Sequence, residues 1–435
     1  MLFFKEINIG KLLLSVALTL VLLVACYFWE NVPLAYGESF DKFYVAERCI
    51  QKHFGRNQTL DEGLFINVGY DKAVAEIDLY DMNGLFTGRV DITDRETLDN
   101  ILARLEEDDT YKYIFLDVRF EKGITTPSDS VLFARIARMR DIVVATHRGM
   151  TLSSPVLEPK AYLSDYKTTI TSTGFTRYQY LQKGETSVPL KIYEDLTGSS
   201  IRKARHFPIY YSGKSLCHNS VFVRIPEDFS RNLVDVHLDR HEEGVTGIHR
   251  QRYFDCGPQI DAFFPLDEQA DGKIVIIGDY VNDMAGTYMG EQPNPYLAFL
   301  ATENLLQGRH KVSVVYALFL AAFFLITFIT ILERRKSVII AIMDLLAGLV
   351  KKLYLRIKPG KTIQKENISI LGLFIWNLLG FSISTFLVCL LLFICLQATF
   401  SIFIPSLAFS ITVAIIQTRD NLSQKTKGDE TVQTS

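Results

Sequence analysis

The sequence predicts an α/β domain, a mainly parallel sheet flanked by helices, carried on α-helical membrane spans. Three observations predict it. Short β-branched runs without alternation (64–69 LFINVG, 113–118 YIFLDV, 142–145 IVVA, 273–278 KIVIIG) read as strands buried on both faces. Helical apolar periodicity lies between them, the alternation of a parallel sheet. Four stretches, 12–29, 312–332, 368–396 and 400–416, are apolar enough for a bilayer core, which takes ~20 residues of helix.

Residues 1–29 read as an N-terminal signal-anchor span ending in an interfacial aromatic group, Tyr27, Phe28 and Trp29. Leu23-Val24-Ala25-Cys26 also matches the small-residue pattern ahead of a lipid-modified cysteine, the alternative for this segment. Residues 30–311 form one hydrophilic block with 32 Lys plus Arg, 42 Asp plus Glu and all eight histidines. That acidic balance argues against nucleic acid, whose phosphates need cationic neutralisation.

Inside the block, residues 40–54 read as a helix leaving the membrane. The strand at 64–69 ends near Asp71, and Asn83-Gly84 marks a possible hairpin turn. Thr93 and Glu96 form a capping box for a helix to about residue 107, buried through Leu98, Ile101, Leu102 and Leu105. The strand at 113–118 carries Asp117. Ser128 caps a helix with Val131, Leu132, Ile136 and Met139, and a third strand follows at 142–145. A strand-like stretch at 178–181 and a helix around 189–196 come next. Residues 233–241 alternate, with Asp235, His237, Asp239 and His241 on one side. Residues 199–264 are read as an insertion or edge structure. The strand at 273–278 leads through a loop with Asp279 and Asp283 to a helix at 296–307, closed by Gly308.

The segment 333–367 holds nine basic residues against three acidic ones. With Lys5, Lys11, Arg419, Lys425 and Lys427 it gives a positive-inside pattern. The expectation is a multi-pass protein of the cytoplasmic (inner) membrane, with both termini cytoplasmic and 30–311 outside. Within the basic segment, 337–357 either spans or lies on the headgroups as an amphipathic helix, which suits its charge better. The tail 417–435 is polar and is expected to be disordered.

Asp71, Asp117, Asp279 and Asp283 each fall at or just beyond the end of an expected parallel strand, the edge where α/β sheets bind ligands. Carboxylates there suit a divalent cation such as Mg²⁺ or Ca²⁺, or a cationic ligand. The same aspartates equally suit turns and helix caps. Asp235, His237, Asp239 and His241 have the chemistry of a Zn²⁺ site, against the plainer reading of a solvated strand face. In an oxidising compartment Cys217 with Cys256 is the favoured disulfide, buried thiols being the alternative. The chain has no phosphate-binding Gly-rich loop with Lys-Ser/Thr, no HExxH and no GxSxG.

Four segments resemble the type-2 CHASE domain, an extracytoplasmic sensory module found with cyclases and histidine kinases. They are NVGYDKAV, FLDVRF, PSDSVLFARIARMRDIVVA and KIVIIGDYVNDMAGTYMGEQPNPYLAFLATENLLQGR. In the last, Asp283, Thr287 and Gly290 fall in register with the family's closing signature. Tyr288 and Ala298 stand where the family commonly has proline and histidine. The resemblance implies a sensory domain, usually followed by a cytoplasmic output domain, for which 417–435 leaves no room. The chain is therefore expected to be a non-enzymatic sensor or receptor subunit in the lipid bilayer, signalling through its spans to a protein partner, with a homo-oligomer possible. The alternatives are a docking subunit of an envelope complex and a metal-dependent extracytoplasmic enzyme.

Overall fold

The computed structural model describes residues 8–31, 43–47, 50, 62–77, 88–165, 175–225, 233–235, 252–253, 269–333, 370–396 and 400–433. The chain divides into two compact units, Tyr44–Lys311 and a second assembled from Met1–Phe43 and Val312–Ser435. The named helices among the described residues are α1 (Ile9–Glu30), α2 (Arg95–Asp108), α3 (Asp129–Arg138), α4 (Val188–Thr197), α5 (Asn294–Leu306), α6 (Val314–Glu333), α7 (Ile370–Leu396) and α8 (Phe403–Gln433).

The Tyr44–Lys311 unit is built on a seven-stranded sheet. Its strands are β1 (Gly63–Asn67), β2 (Tyr113–Asp117), β3 (Ile142–Thr146), β4 (Ala161–Leu163), β5 (Leu233–Asp235), β6 (Arg252–Tyr253) and β7 (Ile274–Gly278). They lie in the order β6-β5-β1-β7-β2-β3-β4, and every neighbouring pair is parallel. The non-alternating apolar runs follow from burial on both faces. Leu64, Ile66, Ile114, Leu116, Ile142, Val144, Val275 and Ile277 pack on one side with α2 and α3. Phe65, Tyr113, Phe115, Val143, Ile274 and Ile276 pack on the other with α4 and α5. The register puts Asn67, Gly278 and Asp117 side by side at the C-terminal edge.

Local differences from the sequence reading have physical causes. The cap of α2 is Asp94, whose carboxylate accepts the Glu96 and Thr97 N–H groups. Thr93 is instead paired with Lys72 in an antiparallel hairpin of strands Lys72–Ile77 and Arg89–Thr93. Ser128 makes no side-chain cap to α3, and Asp129 holds the turn by accepting the Thr126 N–H and hydroxyl, both at 2.9 Å. Val131 is exposed, so the apolar face of α3 is narrower than expected. Helix α5 starts at Asn294 because Pro295, which needs no hydrogen bond there, fits its first turn. Gly308 is left-handed at φ +70° and donates to the Leu305 carbonyl, closing the helix as expected. Part of the expected insertion joins the main sheet, since β5 pairs directly with β1. The expected amphipathic helix at 337–357 lies outside the described residues.

In the second unit α1, α6, α7 and α8 form a helical bundle. Lys11 and Glu333 approach to 3.6 Å, so α1 and α6 run antiparallel. Its core is aromatic: Phe409 of α8 contacts Phe323, Phe324, Phe328 and Phe381. Thr327, Ser384, Ser410 and Thr412 return their hydroxyls to carbonyls one turn back, which satisfies them in an apolar setting. Among the described residues three helices are long and apolar enough to cross a membrane: Ile9–Glu30, Val314–Glu333 and Phe374–Leu396. The fourth expected span is not among them. Pro405, Ser406 and Ser410 dilute the apolar run of α8, and Gln417 to Asp420 end it. The helix nevertheless continues to Gln433 through the tail expected to be disordered, where Gln, Lys and Arg favour helix.

Candidate functional site

Beyond the C-terminal edge of the sheet lies a cavity of about 340 Å³, lined by Asp117, His147, Arg148, Ser164, Asp165, Gln182, Asp283 and Asn294. Asp117 ends β2. His147 and Arg148 follow β3, and Ser164 and Asp165 follow β4. Gln182 comes from a small hairpin, Asp283 from the loop after β7, and Asn294 is the first residue of α5.

Asp165 ties two strand ends together. Its carboxylate meets His147 Nδ1 at 2.9 Å and accepts the Arg148 N–H at 3.0 Å. Gln182 is fully buried; it donates to the Asp165 carbonyl and accepts from Arg148 Nη2 at 3.1 Å. Burial pushes the Asp117 carboxyl well above the usual range, Asp283 adds to this, and a hydrogen bond from Ser164 opposes it. Asp117 Oδ2 is buried with no hydrogen-bond partner. Asp283 is raised by burial as well, against the side-chain hydrogen bond from Asn294. Asn294 is held from both ends, since its backbone N–H donates to the Asp283 carbonyl at 2.9 Å.

The four expected aspartates do not converge. Asp117 and Asp283 enter the cavity; Asp71 and Asp279 do not line it. Asp279 builds the turn after β7, accepting the Val281 and Asn282 N–H groups at 3.0 and 2.8 Å and the Lys72 ammonium at 2.9 Å. Burial works against its ionisation, but Lys72 and the Asn282 donors outweigh that and hold the carboxyl below its usual value. The chain comes so close here that a Cβ on Gly69 would sit 2.5 Å from Asp279 Oδ1. Asp71 joins β1 to the hairpin, its carbonyl accepting the Asp94 N–H at 2.9 Å. Among the described residues no group of three His, Cys, Asp or Glu is placed to hold a metal ion.

Asp235 ends β5 opposite Asn67, while His237, Asp239 and His241 lie outside the described residues. Cys217 is buried, which pushes its thiol up to about 12, and its expected partner Cys256 lies outside the described residues. His147, Arg148, Ser164, Asp165, Gln182 and Asn294 were not singled out from the sequence. The strand-end rule that found Asp117 reaches His147 too, since it follows IVVAT directly. Strand β4 is too short to announce Ser164 and Asp165, and nothing local points to Gln182.

The cavity's wall is mainly accepting, with Arg148 as its cationic donor. It offers carboxylates and an amide oxygen. No family model matches the chain, and no curated protein or solved structure matches it either.

Proposed function

We propose that this protein is a membrane-anchored sensor or receptor subunit whose α/β domain binds a small polar ligand at the C-terminal edge of its sheet. One observation carries the reading. The cavity beside Asp117 and Asp283 is lined by Asn294, the first residue of α5, and α5 is the last helix before the span α6. A ligand held there touches the helix that precedes α6 in the chain. It shifts the domain only through unequal affinity for two arrangements of that helix. The likeness of the closing segment to type-2 CHASE domains supports the same reading. So does the basic segment 333–367, which favours a cytoplasmic position for that part of the chain and an extracytoplasmic one for 44–311. A partner protein would receive the signal through the spans or that basic segment.

The test is a thermal-shift screen of the full chain in detergent against small molecules of neutral, anionic and cationic classes. It is repeated on Ser164→Trp, which fills the cavity from a buried position. A compound that stabilises the parent and not the variant supports the reading. No stabilising compound in any class, or equal stabilisation of both proteins, overturns it. The melting temperature of Ser164→Trp without compound verifies that it folds.

A further inference from the structure

We infer that the cavity takes its ligand by a primary ammonium group, with a carboxylate end turned to Arg148: a zwitterion of the amino-acid class. This rests on the cavity being the ligand site. Two acceptors on its wall, Asp117 Oδ2 and Asn294 Oδ1, are buried with no hydrogen-bond partner. Asp283, which is half-buried, adds a further acceptor, because Asn294 Nδ2 bonds to its Oδ1. The Asn294 amide is fixed in this sense. Its nitrogen must face the carboxylate, so its oxygen is left without a donor. Buried acceptors left unmatched are costly, and here they gather in one place. An ammonium group carries three N–H donors and no acceptor, the complement of this wall.

The opposite charge is also present. Arg148 gives one guanidinium N–H to Gln182 and has others for a carboxylate. Arg148 works against a bare divalent cation, as does the lack of a three-ligand group among the described residues. The cavity volume of about 340 Å³ suits a molecule of amino-acid size. Burial raises the Asp117 carboxyl in the empty site, and Asp283 adds to this. An arriving ammonium favours the carboxylate, so binding tightens as pH rises.

The experiment is isothermal titration calorimetry on the full chain in detergent. The probes are the twenty proteinogenic amino acids, γ-aminobutyrate, their N-acetyl counterparts, and MgCl₂ and CaCl₂ alone. At least one amino acid binds, its N-acetyl form does not, and the binding is tighter at higher pH. Asp283→Asn weakens binding by about tenfold or more, the scale of a hydrogen bond to a charged group. Asn294→Ser, a milder change, weakens it as well. Binding that survives N-acetylation, no loss in Asp283→Asn when that variant melts like the parent, binding of the metals alone, or no binding by any probe overturns the inference. Neutral or anionic compounds that stabilise the parent and not Ser164→Trp leave the site reading standing while removing the ammonium.

Discussion

Glu303 gives the sharpest stability prediction. It lies on α5, and burial, with Glu62 adding to it, raises its carboxyl to about 7 against the pull of Arg309 and Lys112. In the unfolded chain the same group titrates near 4.5. Between those values the folded state holds a proton that the unfolded state has released, so stability falls as pH rises through this window. A fully buried group with that shift would contribute ~3 kcal/mol. Glu303 is only half-buried, and solvent screening brings the figure to about 2 kcal/mol. Glu303→Gln keeps the shape and cannot ionise. Relative to the parent, it should gain that amount between pH 4 and pH 8, roughly 5 °C in melting temperature for a domain of this size. The assay is thermal unfolding of both proteins in detergent across that range. His218 and buried His310, lowered by desolvation to about 3 and about 4, also make stability depend on pH. They are common to both proteins and cancel in the difference. A difference that is flat from pH 4 to pH 8, or that favours the parent at high pH, refutes the reasoning.

Other substitutions probe other parts. Arg95 is buried over the Phe120 ring at 4.3 Å, donates to the Arg119 carbonyl at 2.7 Å and faces Asp129 at 3.7 Å. Arg95→Ala should cost about 3 kcal/mol, seen as a lower midpoint in urea, because it leaves Asp129 without its cation. A Cβ at Gly278 would meet Pro295 Cγ at 2.7 Å, so Gly278→Ala should push the first turn of α5 off the sheet. The expected loss is about 2 kcal/mol in melting, together with weaker ligand binding through Asn294. Phe409→Ala should cost about 3 kcal/mol in the bundle and lower its resistance to dodecyl sulfate, leaving the Glu303 pH profile unchanged.

The parts of the fold legible in the sequence are those where one physical effect dominates. Strands β1, β2, β3 and β7 were readable because burial on both faces leaves only apolar residues. Helix α2 was readable because Leu98, Ile101, Leu102 and Leu105 keep its period. Where two effects compete, the local pattern does not decide between them. Thr93 and Asp94 both suit a cap, and the hairpin took the threonine. Strand β5 joins the sheet through pairing with β1, which no local pattern announces. The site divided along the same line. Asp117 and Asp283 follow from a rule about strand ends. Asp279 obeys that rule too, but its short-range donors and Lys72 draw it into a turn. Gln182 and Asn294 reach the cavity only through tertiary packing.

The strand order carries a consequence for biogenesis. Strand β7 is the last of the sheet in sequence, yet it lies between β1 and β2, near the middle. Phe65 pairs with Ile276 and Phe115 with the same residue, contacts that span most of the domain's length. Such contacts are slow to form, because a long loop must close first. Until β7 emerges, the edges of β1 and β2 stand open to stray pairing. On the proposed topology β7 crosses the membrane just ahead of α6. The sheet can therefore close only when translocation of the domain is nearly complete, and a pause just before Ile274 would leave an aggregation-prone half-sheet outside the membrane.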